Sequence, residues 1–101
     1  MSDVTLLAKI TTLPGKRDEV AAIFAEMVGA VQSEAGTKVY ALHLQADDEV
    51  TVWFYERYTD QDALAAHGTS EAMKATGGKL KGLLAGRPEL IFMTPLAAKG
   101  V

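Results

Sequence analysis

Cysteine is absent from the 101 residues. Its absence excludes disulfides, thiolate nucleophiles, zinc–cysteine sites and iron–sulfur clusters, and suits a reducing compartment, so a cytoplasmic protein is the expectation. Long apolar runs are also missing, and the opening Met1-Ser2-Asp3 has no basic segment; neither a bilayer-spanning helix nor a secretory leader is expected. There is no cationic excess, since ten Lys and Arg face thirteen Asp and Glu, interspersed, for a net charge of −3. Such a balance provides no footprint for a phosphate backbone, and neither nucleic acid nor a membrane surface is an expected partner. Prolines number only three and aromatics are 7%, yet 49% of residues are hydrophobic, which fits one globular domain. A chain of this size buries roughly two-thirds of its unfolded surface, so stability is thin and an added interface would help.

Hydrophobic period divides the chain. Val4 to Thr11 alternates and reads as a first strand, stopped by Leu13-Pro14-Gly15. From Lys16 the period changes to three and four through Val20, Ile23, Phe24, Met27, Val28 and Val31, an amphipathic helix of about five turns ended near Gly36. Thr37 to Ala46 and Val50 to Tyr58 read as a hairpin turned by Asp47-Asp48. Thr59 and Asp62 resemble a capping box opening a short helix to about His67, and Ser70 caps another from Glu71. There Met73, Gly77, Leu80 and Leu84 share one face, and Gly77-Gly78 predicts either a helix break or a close backbone approach. Glu89 to Leu96 reads as a last strand, with residues 97–101 a frayed tail and the core spanning about 3–95.

The order β-α-β-β-α-β predicts an α+β, ferredoxin-like fold: a four-stranded antiparallel sheet with helices on one face and the first strand between the third and fourth. In the third strand Val52, Phe54, Glu56 and Tyr58 point one way, and Thr51, Trp53, Tyr55 and Arg57 the other. Both sets are too apolar for water while helices cover only one face. A two-fold homodimer through the open face is therefore predicted.

The set Leu13-Pro14-Gly15-Lys16, Glu34-Ala35-Gly36, Tyr40-Ala41-Leu42-His43, Tyr55-Glu56-Arg57-Tyr58 and Ala63-Leu64-Ala65-Ala66-His67 resembles the antibiotic biosynthesis monooxygenase domain family, of the dimeric α/β-barrel type, over roughly residues 3 to 95. The resemblance implies protomers packed through their open sheet faces and a pocket between sheet and helices within each protomer. Its heme-degrading branch carries an Asn, a Trp and a ligating His where this chain has Ala8, His67 and Gly77. Its anthrone-oxidising branch carries an Asn, a Trp and a Tyr where this chain has Phe54, Tyr58 and Leu64. Neither set of determinants is present, and no heme, flavin or metal is expected.

On that placement Ala8, Phe54, Glu56 and Tyr58 face the pocket. Pairing Ala46 with Glu49 across a two-residue turn would add Val39, Ala41 and His43, whereas a one-residue slip would substitute Tyr40, Leu42 and Leu44. His67 and His43 are the candidate bases for a phenolic proton. His67 has the alternative of a half-buried histidine bonded to a carbonyl, Glu56 or Tyr58, and His43 that of an edge-strand histidine. Glu56 is either an acid–base group or a structurally paired charge, its partner being Arg57 or Lys9 of a second copy should the strand parity be reversed, because an unpaired charge in an apolar strand is costly. Tyr58 is a donor to a substrate oxygen or an ordinary buried tyrosine. Ile10, Phe24, Val52, Phe54 and Met73 are the expected apolar lining, and Trp53, Tyr55 and Tyr40 the expected dimer contact.

These expectations point to a cofactor-independent monooxygenase acting on an aromatic phenol or quinol. The alternative is a dimeric module of the same fold that binds a small hydrophobic ligand without converting it.

Overall fold

A computed structural model describes residues 3–101. Its elements are β1 (Val4–Thr11), α1 (Arg17–Val31), β2 (Thr37–Leu44), β3 (Thr51–Tyr58), α2 (Gln61–Gly68), α3 (Glu71–Leu80) and β4 (Glu89–Met93). The strands form one antiparallel sheet in the order β2-β3-β1-β4, so β1 lies between β3 and β4 as the right-handed crossover rule requires. The protein thus has the ferredoxin-like α+β architecture, with its second helical segment divided in two.

Local chemistry sets the element ends. α1 buries Val20, Phe24, Met27 and Val31, a stripe at spacings of four, three and four, against the sheet. α2 is capped by Asp60 rather than Thr59, its Oδ1 accepting from the Ala63 amide at 2.8 Å. Ser70 Oγ accepts from the Met73 amide at 3.1 Å and starts α3. Gly77-Gly78 neither breaks α3 nor admits a close neighbour, because a Cβ built on either meets nothing within 4 Å. Gly77 instead faces open space beneath the helix.

The hairpin departs from a two-residue turn. β2 ends at Leu44 and β3 starts at Thr51, so a six-residue loop joins them. Asp48 Oδ1 accepts from the amides of Val50 at 3.1 Å and Thr51 at 2.9 Å. Arg17, at the start of α1, donates to the carbonyls of Gln45 at 3.0 Å and Asp48 at 2.8 Å. These bonds hold a register in which Tyr40, Leu42, His43 and Leu44 pair with Glu56, Phe54, Trp53 and Val52. Tyr40, Leu42 and Leu44 therefore share the helix-covered face with Phe54 and Glu56. Val39, Ala41 and His43 belong to the open face, which corrects the expectation that they join the pocket.

β4 stops at Met93, short of Leu96, and every one of its residues is exposed. Residues 81–86 turn back onto the end of β1, with the Ala85 amide donating to Thr11 at 2.8 Å and the Leu13 amide to Leu83 at 2.9 Å. This connection closes one end of the space between α3 and the sheet. No helix among the described residues is long and apolar enough to cross a membrane.

Candidate active site

α1 packs on the sheet, but α3 leans on α1 and stands off from the strands, leaving a cavity of about 680 Å³. Leu6, Ala8, Ile10, Phe54, Glu56 and Leu90 form its floor. Phe24, Leu64, His67, Met73, Gly77 and Leu80 form the opposite wall, and Lys81, Gly82, Arg87 and Pro88 lie along the exposed closing segment. The volume falls within the range of small-molecule sites, and the lining is apolar except at a few points.

The first polar point is a dyad. His67, 3% exposed on α2, places Nδ1 3.0 Å from Oε1 of Glu34, which lies just beyond α1. A carboxylate oxygen accepts, so the Nδ1–H donates to it and the ring is oriented with Nε2 as its other nitrogen. The same Glu34 oxygen accepts from Thr37 Oγ1 at 2.7 Å, which fixes the carboxylate from a second direction. Nε2 is buried and has no hydrogen-bond partner. The ring lies 4.9 Å from Tyr40 and 5.4 Å from Tyr58 between centroids.

The second polar point is Glu56, 7% exposed on the cavity floor, whose Oε1 accepts from the Tyr58 hydroxyl at 2.6 Å. Burial raises the Glu56 pKa, opposed by the Tyr58 hydrogen bond and the field of His67. Tyr58 is raised far above the ordinary phenol value by burial and then by Glu56. Tyr40, stacked on Phe54 at 4.2 Å, is raised by burial and by Glu56 and Glu34. Buried acids perturbed by desolvation inside a cavity are the groups that proton-transfer sites employ.

The structure brings His67, Glu56 and Tyr58 together and leaves His43 out. His43 pairs in register with Trp53 on the open face, is exposed, and its Nδ1 lies 3.2 Å from the Ala41 carbonyl of its own strand. Among the apolar candidates Ile10, Phe24, Phe54 and Met73 lie on the cavity wall. Val52 does not: it is fully buried in the packed core, where it pairs with Ile10 and Leu44. Tyr40 is a cavity residue rather than a dimer contact, a consequence of the same register. Glu56 keeps the expected parity and takes Tyr58 as its partner, while on the open face Arg57 donates to Asp3 at 2.6 Å and Lys9 sits 5.8 Å from the Trp53 ring centre. No three His, Cys, Asp or Glu side chains among the described residues assemble as metal ligands.

Glu34 was not singled out as a functional residue by sequence reasoning. Only its place in the Glu34-Ala35-Gly36 set drew notice, whereas its role depends on Gly36, where an added Cβ would stand 2.5 Å from the Ala63 Cβ. That close approach is what brings α2, and His67 with it, against the end of α1.

An antiparallel split-βαβ sheet with this cavity under its helices defines the ferredoxin-like class of small α+β domains. The sequence profile of the antibiotic biosynthesis monooxygenase family matches residues 3–78, and the chain belongs to that family. It is similar to a Caulobacter crescentus protein assigned to antibiotic biosynthesis monooxygenases, at 26% identity and a TM-score of 0.88, over 95% of this chain and 92% of that one. Protein PA3566 of Pseudomonas aeruginosa is 26% identical with a TM-score of 0.88, over 96% and 97%. Rv0793 of Mycobacterium tuberculosis is 25% identical with a TM-score of 0.86, over 96% and 98%. No functionally curated protein matches the chain.

Proposed function

We propose that the protein oxygenates a flat phenol or quinol without metal, flavin or heme. The observation that supports this reading is the Glu34–His67 dyad, with His67 and Glu56 on the wall of one apolar cavity, while Tyr58, fully buried and off the cavity wall, donates to Glu56 from behind. The substrate ring lies on Phe54 and Leu6 under Phe24 and Met73. His67, oriented by Glu34, takes the phenolic proton, and Glu56, held by the Tyr58 hydroxyl, meets a second ring hydroxyl. The electron-rich anion passes one electron to dioxygen, and the two radicals join at a ring carbon as a peroxide. Loss of water then leaves one oxygen atom on the ring. For a hydroquinone the balance is quinol plus dioxygen giving hydroxyquinone plus water, all four electrons coming from the substrate. Orientation, deprotonation and exclusion of water are the protein's contributions.

We also propose a homodimer through the open sheet face. Leu7, Trp53, Tyr55, Ile91 and Met93 alternate onto that face, opposite the helices, and Ile91 and Met93 are 46% and 38% exposed.

The test is dioxygen uptake by the purified protein, stripped of metal and flavin, against hydroquinones, naphthoquinols and anthrones. Uptake above autoxidation that His67→Ala lowers about 10²-fold, and that His43→Ala leaves unchanged, supports an oxygenase with one base. No uptake by a folded protein overturns it in favour of a ligand-binding module of the same fold.

A further inference from the structure

The cavity is electrically two-ended. At its floor is the buried acid Glu56, and at its exposed end are two cations, Lys81 and Arg87, both on the segment that joins α3 to β4. The neighbouring lysines of α3 are already paired: Lys74 with Glu71 at 3.6 Å and Lys79 with Glu26 at 2.9 Å. Lys81 and Arg87 have no acidic partner within 4 Å among the described residues, although acids outnumber bases in the chain. Glu89, the nearest acid along the chain to Arg87, pairs in register with Lys9 and so belongs to the opposite face of the sheet. The two cations beside an apolar space are thus left uncompensated where a bound molecule would emerge from it.

We propose that the natural ligand is an aromatic carboxylic acid, bound with its ring in the cavity and its carboxylate at Arg87 and Lys81. This rests on the reading of the cavity as the phenol or quinol site and specifies which phenols it takes. Two forces set the orientation. A carboxylate directed inward would be stripped of water in an apolar space whose floor offers Glu56, an acid, and no cation to pair with it. Directed outward, it meets a guanidinium that presents a planar fork and an ammonium beside it, both still partly hydrated. The phenolic end is then driven toward His67 and Glu56, which is the end where a proton can be accepted. Arg87 and Lys81 are accordingly specificity residues, acting on binding and orientation and not on the reacting atoms.

A matched pair of probes tests this: 1,4-dihydroxy-2-naphthoic acid and 1,4-dihydroxynaphthalene, which differ by one carboxylate. Binding is measured by calorimetric titration without oxygen, so that turnover plays no part. The acid should bind about tenfold more tightly than the neutral diol, the advantage shrinking as salt rises. In the double variant Lys81→Ala/Arg87→Ala the two Kd values should converge, with that of the diol unchanged, and Arg87→Glu should reverse the preference. Lys99→Ala, remote in sequence and outside the cavity lining, should change neither. Equal binding of the two probes by the unaltered protein overturns the proposal, as does a preference that survives the double variant. Binding of neither overturns it together with the phenol-site reading. Tight, charge-dependent binding of the acid without oxygen uptake in air leaves the carboxylate site standing and removes only the oxygenase.

Discussion

Glu34 and His67 stand 33 residues apart in sequence and meet at 3.0 Å, one just past α1 and the other in α2. A carboxylate on Nδ1 fixes both the ring orientation and the tautomer, so that Nε2 becomes the proton acceptor. If the pair acts as a unit, its losses do not add. His67→Ala should lower kcat about 10²-fold, Glu34→Gln about tenfold with KM little changed, and the double variant no more than His67→Ala alone. Steady-state oxygen uptake on the three variants measures this. Additive losses would show that Glu34 serves only to hold the α1–α2 junction.

Glu56 makes stability depend on pH in a direction opposite to that of an ordinary surface acid. Its pKa is raised in the folded protein, burial being the largest cause, so between its unfolded and folded values the native state holds more protons than the unfolded state. Stability from this group is therefore greatest at low pH and is lost as pH rises through the folded value. Asp3 and Asp48 oppose it: hydrogen bonds from Lys38 and Arg57, and from Thr51, lower their pKa values, so their contribution is lost as pH falls. Comparison with Glu56→Gln isolates the single group, because the amide oxygen still accepts from Tyr58. The Tm of the protein minus that of the variant should fall as pH rises from the ordinary carboxyl value through the raised value of the folded state. A difference that is flat with pH would mean that Glu56 is ionised at no cost in its pocket.

How far the site was legible depends on whether its geometry is local. The parity of β3 was legible because strand alternation is a two-residue rule, and it put Phe54, Glu56 and Tyr58 on the helix-covered face, as found. His67 was legible for the same kind of reason, from its position on a short amphipathic helix. The face of His43 was not. It turned on one residue of hairpin register, which is set by Arg17 reaching across 28 and 31 positions to the carbonyls of Gln45 and Asp48. Tyr40 was lost to the dimer contact by the same slip. Glu34 was invisible as an orienting group because its partner is fixed by packing of α2 on the α1–β2 junction, and no periodicity carries that information.

That junction is itself testable at Gly36. Its φ is not positive, so glycine is needed there for space and not for backbone conformation. A Cβ at this position would stand 2.5 Å from the Cβ of Ala63 and 3.3 Å from Oγ1 of Thr59, in the first turn of α2 and just before its cap. The Gly36 carbonyl meanwhile accepts from the Thr59 amide at 2.9 Å, tying the two segments together. Gly36→Ala must push α2 outward and should cost about 1–3 kcal/mol in denaturant unfolding. Because α2 carries His67, the same shift should lengthen the contact with Glu34 and lower kcat. The control is Gly29→Ala on α1, where a Cβ meets nothing and helix propensity favours alanine, so stability should rise slightly. Equal behaviour of the two variants would show that the α1–α2 junction yields freely.

The open face gives the last prediction. Leu7 pairs with Tyr55 and with Ile91, and Lys9 with Trp53, so a stripe of apolar and aromatic side chains crosses three strands on the side without helices. Trp53 is half-buried, its Nε1 donating to Gln45 Oε1 at 2.7 Å, and this leaves the indole ring as contact surface with its polar atom already satisfied. On a two-fold axis the stripe meets its own copy, and two carboxylates introduced there face each other as well as losing apolar burial. Sedimentation equilibrium should give twice the chain mass for the protein and the single mass for Tyr55→Asp/Ile91→Asp. The monomeric variant should have a lower Tm that no longer rises with protein concentration. Its cavity lies on the other side of the sheet, so calorimetric binding of dihydroxynaphthoic acid should persist at temperatures where the monomer remains folded. A variant that stays dimeric would move the interface away from this face, and one that loses ligand binding while folded would show that dimerisation shapes the cavity.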